Sequence, residues 1–310
     1  MQEAALFRRY VLALFMIAAG LLLAIGAFNY IVDPFGYWGK NLLGLTQQGL
    51  SEKSHDRLFK LARFRQRPKE IIVLGDSRAK NMKEEMFASR GLDVSNLAFG
   101  GGTLYEALDA FWYANSVKKP RHVIIGLPFN LWSEANSQNR VAEARALLEN
   151  PVKYHLSYYV TGVSMRNLVR NAEGRTSVSS APPMSREEFW RFQLGETITP
   201  YYKNWRQPKA LKNQFWEVVQ YCRENGIGLT IVIPPTHRDL QRRVGDFGLN
   251  RQYSDYLSQM KATGQVMNFE AESGIVNDRS KFEDPFHASP EVMDMVVGRV
   301  AARMTGADKR

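Results

Sequence analysis

Residues 10–32 form the longest apolar run in the chain and carry no charged side chain. As a helix rising about 1.5 Å per residue, this run would extend roughly 34 Å, enough to cross the hydrocarbon core of a bilayer. Arg8 and Arg9 precede it, and Asp33 and Pro34 follow it. The positive-inside tendency therefore predicts a single-pass signal anchor over 10–32, with residues 1–9 in the cytoplasm and the rest outside. Tyr30, Tyr37 and Trp38 suit the outer interface. Ala24 and Gly26 would also fit the cleavage site of a signal peptide, but the run exceeds the usual signal core of about 7–15 residues. On either reading the globular part is exported, to a periplasm or a cell surface.

Beyond residue 70 short apolar runs alternate with helical patterns. Residues 71–74, 94–98, 123–127, 229–233 and 266–269 read as strands, and 105–117, 210–224 and 290–304 as helices. Asn225-Gly226 stops the second helix. The alternation predicts an α/β domain over 70–310, built on a parallel sheet covered on both faces. Residues 33–69 form a juxtamembrane linker. Within it, residues 57–69 interleave six basic side chains with Leu58, Phe59, Leu61 and Phe64. That pattern fits a helix resting on anionic headgroups, or a solvated helix packed on the domain. Residues 131–208 break the alternation and read as an insertion over the sheet edge. They hold Tyr154, Tyr158, Tyr159, Trp190, Tyr201, Tyr202 and Trp205, with a Ser/Pro-rich break at 176–183. These aromatic rings either pack a small core of their own or line a glycan or acyl-chain groove.

Composition narrows the class. Hydrophobic residues make up 45% of 310, which supports a sizeable core and argues against disorder. A net charge of +10 admits an anionic partner, but no nucleic-acid module is recognisable. The single cysteine, Cys222, excludes an internal disulfide and fits the buried face of a helix with Phe215, Val218 and Val219. The five histidines show no ligand spacing, and neither a Walker lysine nor a dinucleotide fingerprint occurs, so no metal or cofactor is expected.

Four short segments carry chemistry. Gly75-Asp76-Ser77 follows the first strand, where open α/β sheets form their sites. Asp284-Pro285-Phe286-His287 precedes Ser289-Pro290, a good opening for the last helix. An Asp and a His three residues apart can supply a base and its orienting partner to a serine, although alone they also read as a turn and a surface histidine. Residues 96–103, Asn-Leu-Ala-Phe-Gly-Gly-Gly-Thr, leave backbone N–H groups free to approach an oxyanion or a phosphate. Asn130, after the third strand, offers a side-chain N–H or is a plain turn residue. His237, after the fourth strand, lies near the same crevice and stays outside the catalytic set.

In order and spacing these segments resemble the SGNH/GDSL hydrolase superfamily. The Gly-Asp-Ser block resembles its first motif and Asp284-x-x-His287 its last. The glycine block places Gly101 at the oxyanion position, and Asn130 stands where the third block's asparagine belongs, with Pro128-Phe129 in place of the usual glycine. The resemblance implies a flavodoxin-like three-layer sandwich with a central parallel sheet. It also implies Ser77 as nucleophile, Asp284 and His287 as its partners, and Gly101 and Asn130 as oxyanion donors. The Gly-x-Ser-x-Gly elbow of α/β-hydrolases is absent. Anchor and exported domain together are similar to the membrane-tethered proteins of cell-envelope polymer acylation, such as alginate O-acetyltransferases and the teichoic-acid D-alanylation protein. That likeness implies O-acyl transfer to a polysaccharide from an acyl donor, beside a membrane-bound O-acyltransferase partner in the inner membrane. An esterase or deacetylase with the same residues, and a non-catalytic scaffold, are the alternatives.

Overall fold

The computed structural model describes residues 2–45, 48–175 and 184–306; the Ser/Pro-rich break at 176–183 lies outside them. The chain divides into two compact units, one of Met1–Gln66 with Glu143–Ser179, the other of Arg67–Ala142 with Ser180–Arg310.

The second unit is an α/β sandwich. Its sheet has strands β1 (Ile71–Gly75), β2 (Val94–Asn96), β3 (His122–Gly126), β4 (Gly228–Ile233) and β5 (Val266–Asn268), in the order β2-β1-β3-β4-β5. Every pairing is parallel. The central strands β1, β3 and β4 are short, largely aliphatic runs buried on both faces, as a helix-covered parallel sheet requires, whereas the edge strand β5 is half-buried. Ile71, Val73, Ile124 and Val232 join one core with Phe87, Met293, Val296 and Val297, so helices Glu84–Ala88 and Pro290–Thr305 cover that face. The alternate residues point the other way, toward helices Leu104–Val117 and Ala210–Glu224. Caps fix where the helices begin and end. Thr103 and Glu106 form a reciprocal capping box, Ser289 accepts from the Val292 N–H with Pro290 in the first turn, and Gly306 closes the last helix in the left-handed conformation.

The chain leaves β1 toward β2 on one side and returns to β3 on the other. The carboxyl ends of β1 and β3 therefore flank a topological switch point, where doubly wound sheets open a crevice. Small residues let those ends converge. Gly75 and Gly126 are paired in register, and a Cβ on Gly126 would lie 2.5 Å from the Ala79 Cβ. A Cβ on Gly75 would lie 2.5 Å from the Gly126 carbonyl oxygen, and Gly75 adopts φ +136°.

The first unit is built on helix Gln2–Val32, whose apolar side chains are largely exposed along residues 3–25. It is long and apolar enough to cross a membrane. Polar contacts begin at its far end. Buried Asn29 donates to the His155 carbonyl and to Thr161 Oγ1, and accepts from Ser164 Oγ. Tyr37 packs on Tyr154 at 4.4 Å between ring centroids, and Trp38 stacks on His155. Helix Asp56–Gln66 buries Leu58, Phe59, Leu61 and Phe64, and Arg65 lies over the Tyr37 ring. That helix packs within the unit through its apolar face. The aromatic residues of 131–208 do not share one core: Tyr154 lies in this unit, Trp190 and Tyr202 in the other.

Candidate active site

Ser77 opens the short helix that follows β1, and Asp76 caps that helix by accepting from the Arg78 N–H. Across the crevice, residues 282–289 form a clamped loop. Phe282 and Ala288 bridge antiparallel, the Glu283 N–H donates to the His287 carbonyl, and the Ser289 N–H donates to the Lys281 carbonyl. The loop is further held by the His237 N–H, which donates to the Pro285 carbonyl. His237 itself is buried, caps helix Arg238–Asp246, and meets the Trp190 and Phe282 rings edge-on.

The clamp brings three of the expected residues into one line. Ser77 Oγ lies 2.7 Å from His287 Nε2, and His287 Nδ1 lies 2.8 Å from Asp284 Oδ2. Asp284 is buried, whereas the His287 side chain is 22% exposed and Ser77 is half-buried, so the line opens to solvent at the serine end. Burial alone would raise the Asp284 carboxyl. The His287 ring and the N–H groups of Phe286 and His287 outweigh it and hold the carboxyl below its ordinary value. An ionised carboxylate only accepts, so the imidazole proton sits on Nδ1 and Nε2 is left to accept from the serine hydroxyl. Gln193, in a π-helical turn (Gln193–Thr197), adds a longer donation to Asp284 Oδ2 at 3.4 Å.

The remaining two candidates lie on the flanking loops. The loop after β2 is tied to β1 by the Leu97 N–H to the Val73 carbonyl and the Phe99 N–H to the Gly75 carbonyl. Gly102 is needed there, since its Cβ would lie 2.9 Å from the Gly75 carbonyl oxygen. Gly101 is exposed with φ +56°, and its carbonyl accepts from Arg140, which also pairs with the fully buried Glu106. The Gly101 N–H donates to no acceptor among the described residues, nor does the Ser77 N–H. Asn130 follows β3 in a 3₁₀ turn (Phe129–Leu131), and its Oδ1 accepts from Arg78 at 2.6 Å. The Asn96 side chain is used structurally, donating to the carbonyls of Ala79 and Met82.

Three contributors lie outside the motifs. Arg78 is buried beside Ser77 and pairs with Asp76. Burial opposes its charge and the Asp76 carboxylate more than restores it. Glu270, past β5, is buried and accepts from Thr236 and Tyr253. Burial pushes its carboxyl up despite those bonds. Gln193 had no local signal in the sequence. Among the described residues no group of His, Cys, Asp and Glu is placed to hold a metal ion.

No protein-family model matches the chain. No curated protein matches it either. Seven solved chains do match. One is a Bacteroides fragilis protein provisionally named an acylhydrolase, 11% identical, with 77% of this chain and 89% of that chain covered and a TM-score of 0.36. Likeness at that level bears on neither activity nor substrate.

Proposed function

We propose that this protein is a serine-dependent acyl-transfer enzyme, with Ser77 as nucleophile, His287 as general base and Asp284 as the group that orients the imidazole. The observation that carries the reading is the continuous line from Ser77 Oγ through both His287 nitrogens to Asp284 Oδ2, at 2.7 and 2.8 Å. As His287 Nε2 takes the serine proton, Oγ bonds to the acyl carbon of the donor, and the carbonyl oxygen becomes an oxyanion. The N–H groups of Ser77 and Gly101, with Asn130 Nδ2, are the donors at hand for that charge. The donor's leaving group then departs with the proton from Nε2. In the second half an acceptor hydroxyl gives its proton to Nε2 and bonds to the acyl carbon. Ser77 Oγ leaves and recovers its proton.

The acceptor we favour is a hydroxyl of a cell-envelope or extracellular polysaccharide. The support is the apolar N-terminal helix, which fits an anchor for a domain on the outer side, together with the motif resemblance. A membrane-bound O-acyltransferase supplying acyl groups is the matching partner. One observation favours a second reading, an esterase or deacetylase. Ser77 and His287 are partly open to solvent and Gly101 is exposed, so water reaches the acyl-enzyme.

Turnover of an activated acetyl ester by the full chain, with and without a soluble oligosaccharide, tests both. Ser77→Ala is expected to reduce turnover at least about 1,000-fold; wild-type turnover in that variant would sink every enzyme reading. Acetyl appearing on the oligosaccharide supports transfer, whereas release to water alone supports the esterase.

A further inference from the structure

Arg78 makes contacts that an ion pair with Asp76 does not explain. Its Nε donates to both Asp76 oxygens, at 3.3 and 3.0 Å, and its NH2 nitrogen reaches Asp76 Oδ2 and also Asn130 Oδ1 at 2.6 Å. Its guanidinium carbon lies 5.6 Å from the centroid of the Phe286 ring, in the Asp284–His287 loop. One side chain thus joins the loops after β1 and β3 to the loop that carries the histidine.

A guanidinium has five N–H donors and no acceptor. The Asn130 atom it touches must therefore be the amide oxygen, and the amide NH₂ must face away from it. Asn130 is 7% exposed, and among the described residues its Nδ2 donates to nothing. The alternative rotation would put two sets of N–H donors against each other and leave that Arg78 N–H without the amide oxygen it now uses. Arg78 borders a small cavity. The pocket it shares with Asn130, Tyr202, Tyr253 and Glu270 has about 10 Å³ of interior, space for one water at most.

We infer that Arg78 is a positioning residue that locks the Asn130 amide in one of its two orientations, with Nδ2–H directed toward the oxyanion formed at Ser77. This rests on the reading of Ser77 as nucleophile. A plain asparagine after a strand becomes a committed donor only because the residue next to the nucleophile accepts nothing.

The test uses the full chain in detergent, with 4-nitrophenyl acetate for kcat and KM and an aryl phosphonate for the rate of covalent capture at residue 77. Asn130→Asp is the informative variant, because it keeps an oxygen for Arg78 and so preserves the packing, but has no N–H. Asn130→Asp and Asn130→Ala are both expected to lose about 100–1,000-fold in kcat with KM little changed. Arg78→Lys is expected to lower kcat in the wild-type background and to cost nothing further in the Asn130→Ala background. Wild-type kcat in Asn130→Asp would overturn the proposal. So would an Arg78→Lys loss of equal size in both backgrounds, which is the mark of a merely structural role. Ser77→Ala keeps the two readings apart. Persistent turnover there, or no phosphonate capture in the wild type, removes the nucleophile itself. A dead Ser77→Ala beside an active Asn130→Asp removes only the positioning role.

Discussion

His122, at the start of β3, bonds Thr230 through Nε2 at 3.0 Å, and burial, then the neighbouring Arg121, holds its imidazole down at about 4. The neutral ring is thus favoured in the folded state, while the unfolded chain takes up a proton near pH 6.5. The unfolded state binds more protons between those values, so stability falls as pH drops from about 6.5 to 4, by at most about 3 kcal/mol. His122→Gln, whose amide can still bond Thr230, is expected to flatten that decline in the thermal midpoint. Parallel declines in both proteins would assign the acid sensitivity elsewhere. At this scale the sequence was informative where the proposed chemistry demands a residue type: Ser77, Asp284 and His287 stood out as a hydroxyl, a carboxylate and an imidazole in short motifs, and the structure aligns the three. Gln193 and Glu270 did not, because a polar residue becomes an Asp284 donor or a buried acid only through what the fold packs around it. Arg78 was in plain view beside Ser77, but its contact to Asn130 spans 52 positions and exists only once β1 and β3 lie side by side.

Strand interiors were legible because a parallel strand covered on both faces is apolar at nearly every position. Strand ends were less so. β1 runs on to Gly75, whereas β2, β3 and β5 stop at Asn96, Gly126 and Asn268, short of the apolar runs that end at 98, 127 and 269, and β3 and β4 begin one residue early at His122 and Gly228. Gly75 and Gly126 mark where the carboxyl ends of β1 and β3 pack closely on each other and on Ala79. Gly126→Ala is expected to destabilise the sheet unit by about 1–3 kcal/mol, since its Cβ would lie 2.5 Å from a methyl group on the adjoining helix. Gly274→Ala, where the new Cβ meets nothing within 4 Å, is the control and should fall within about 0.5 kcal/mol of wild type. Equal midpoints for the two variants would refute the close-packing account. Residues 131–208 were hard to read for a different reason. Their helices serve two units, so no single apolar period runs through them.

Taken whole, the molecule joins a helix suited to a membrane with a parallel α/β sandwich that carries a solvent-facing serine at its switch point. Charge and apolar length made the first legible, and strand–helix alternation the second. The division of 1–66 and 143–179 from the remainder was not, because it depends on contacts between segments far apart in the chain. The central claim is that Ser77 forms a covalent acyl-enzyme. It is tested most directly by intact-protein mass spectrometry of the full chain, solubilised in detergent and quenched in acid after brief exposure to an activated acetyl ester. The account predicts a gain of one acetyl group, mapped to Ser77 by peptide analysis and absent from Ser77→Ala. An unmodified, folded wild-type protein that also fails to capture an aryl phosphonate, or an acetyl group retained in Ser77→Ala, would contradict it.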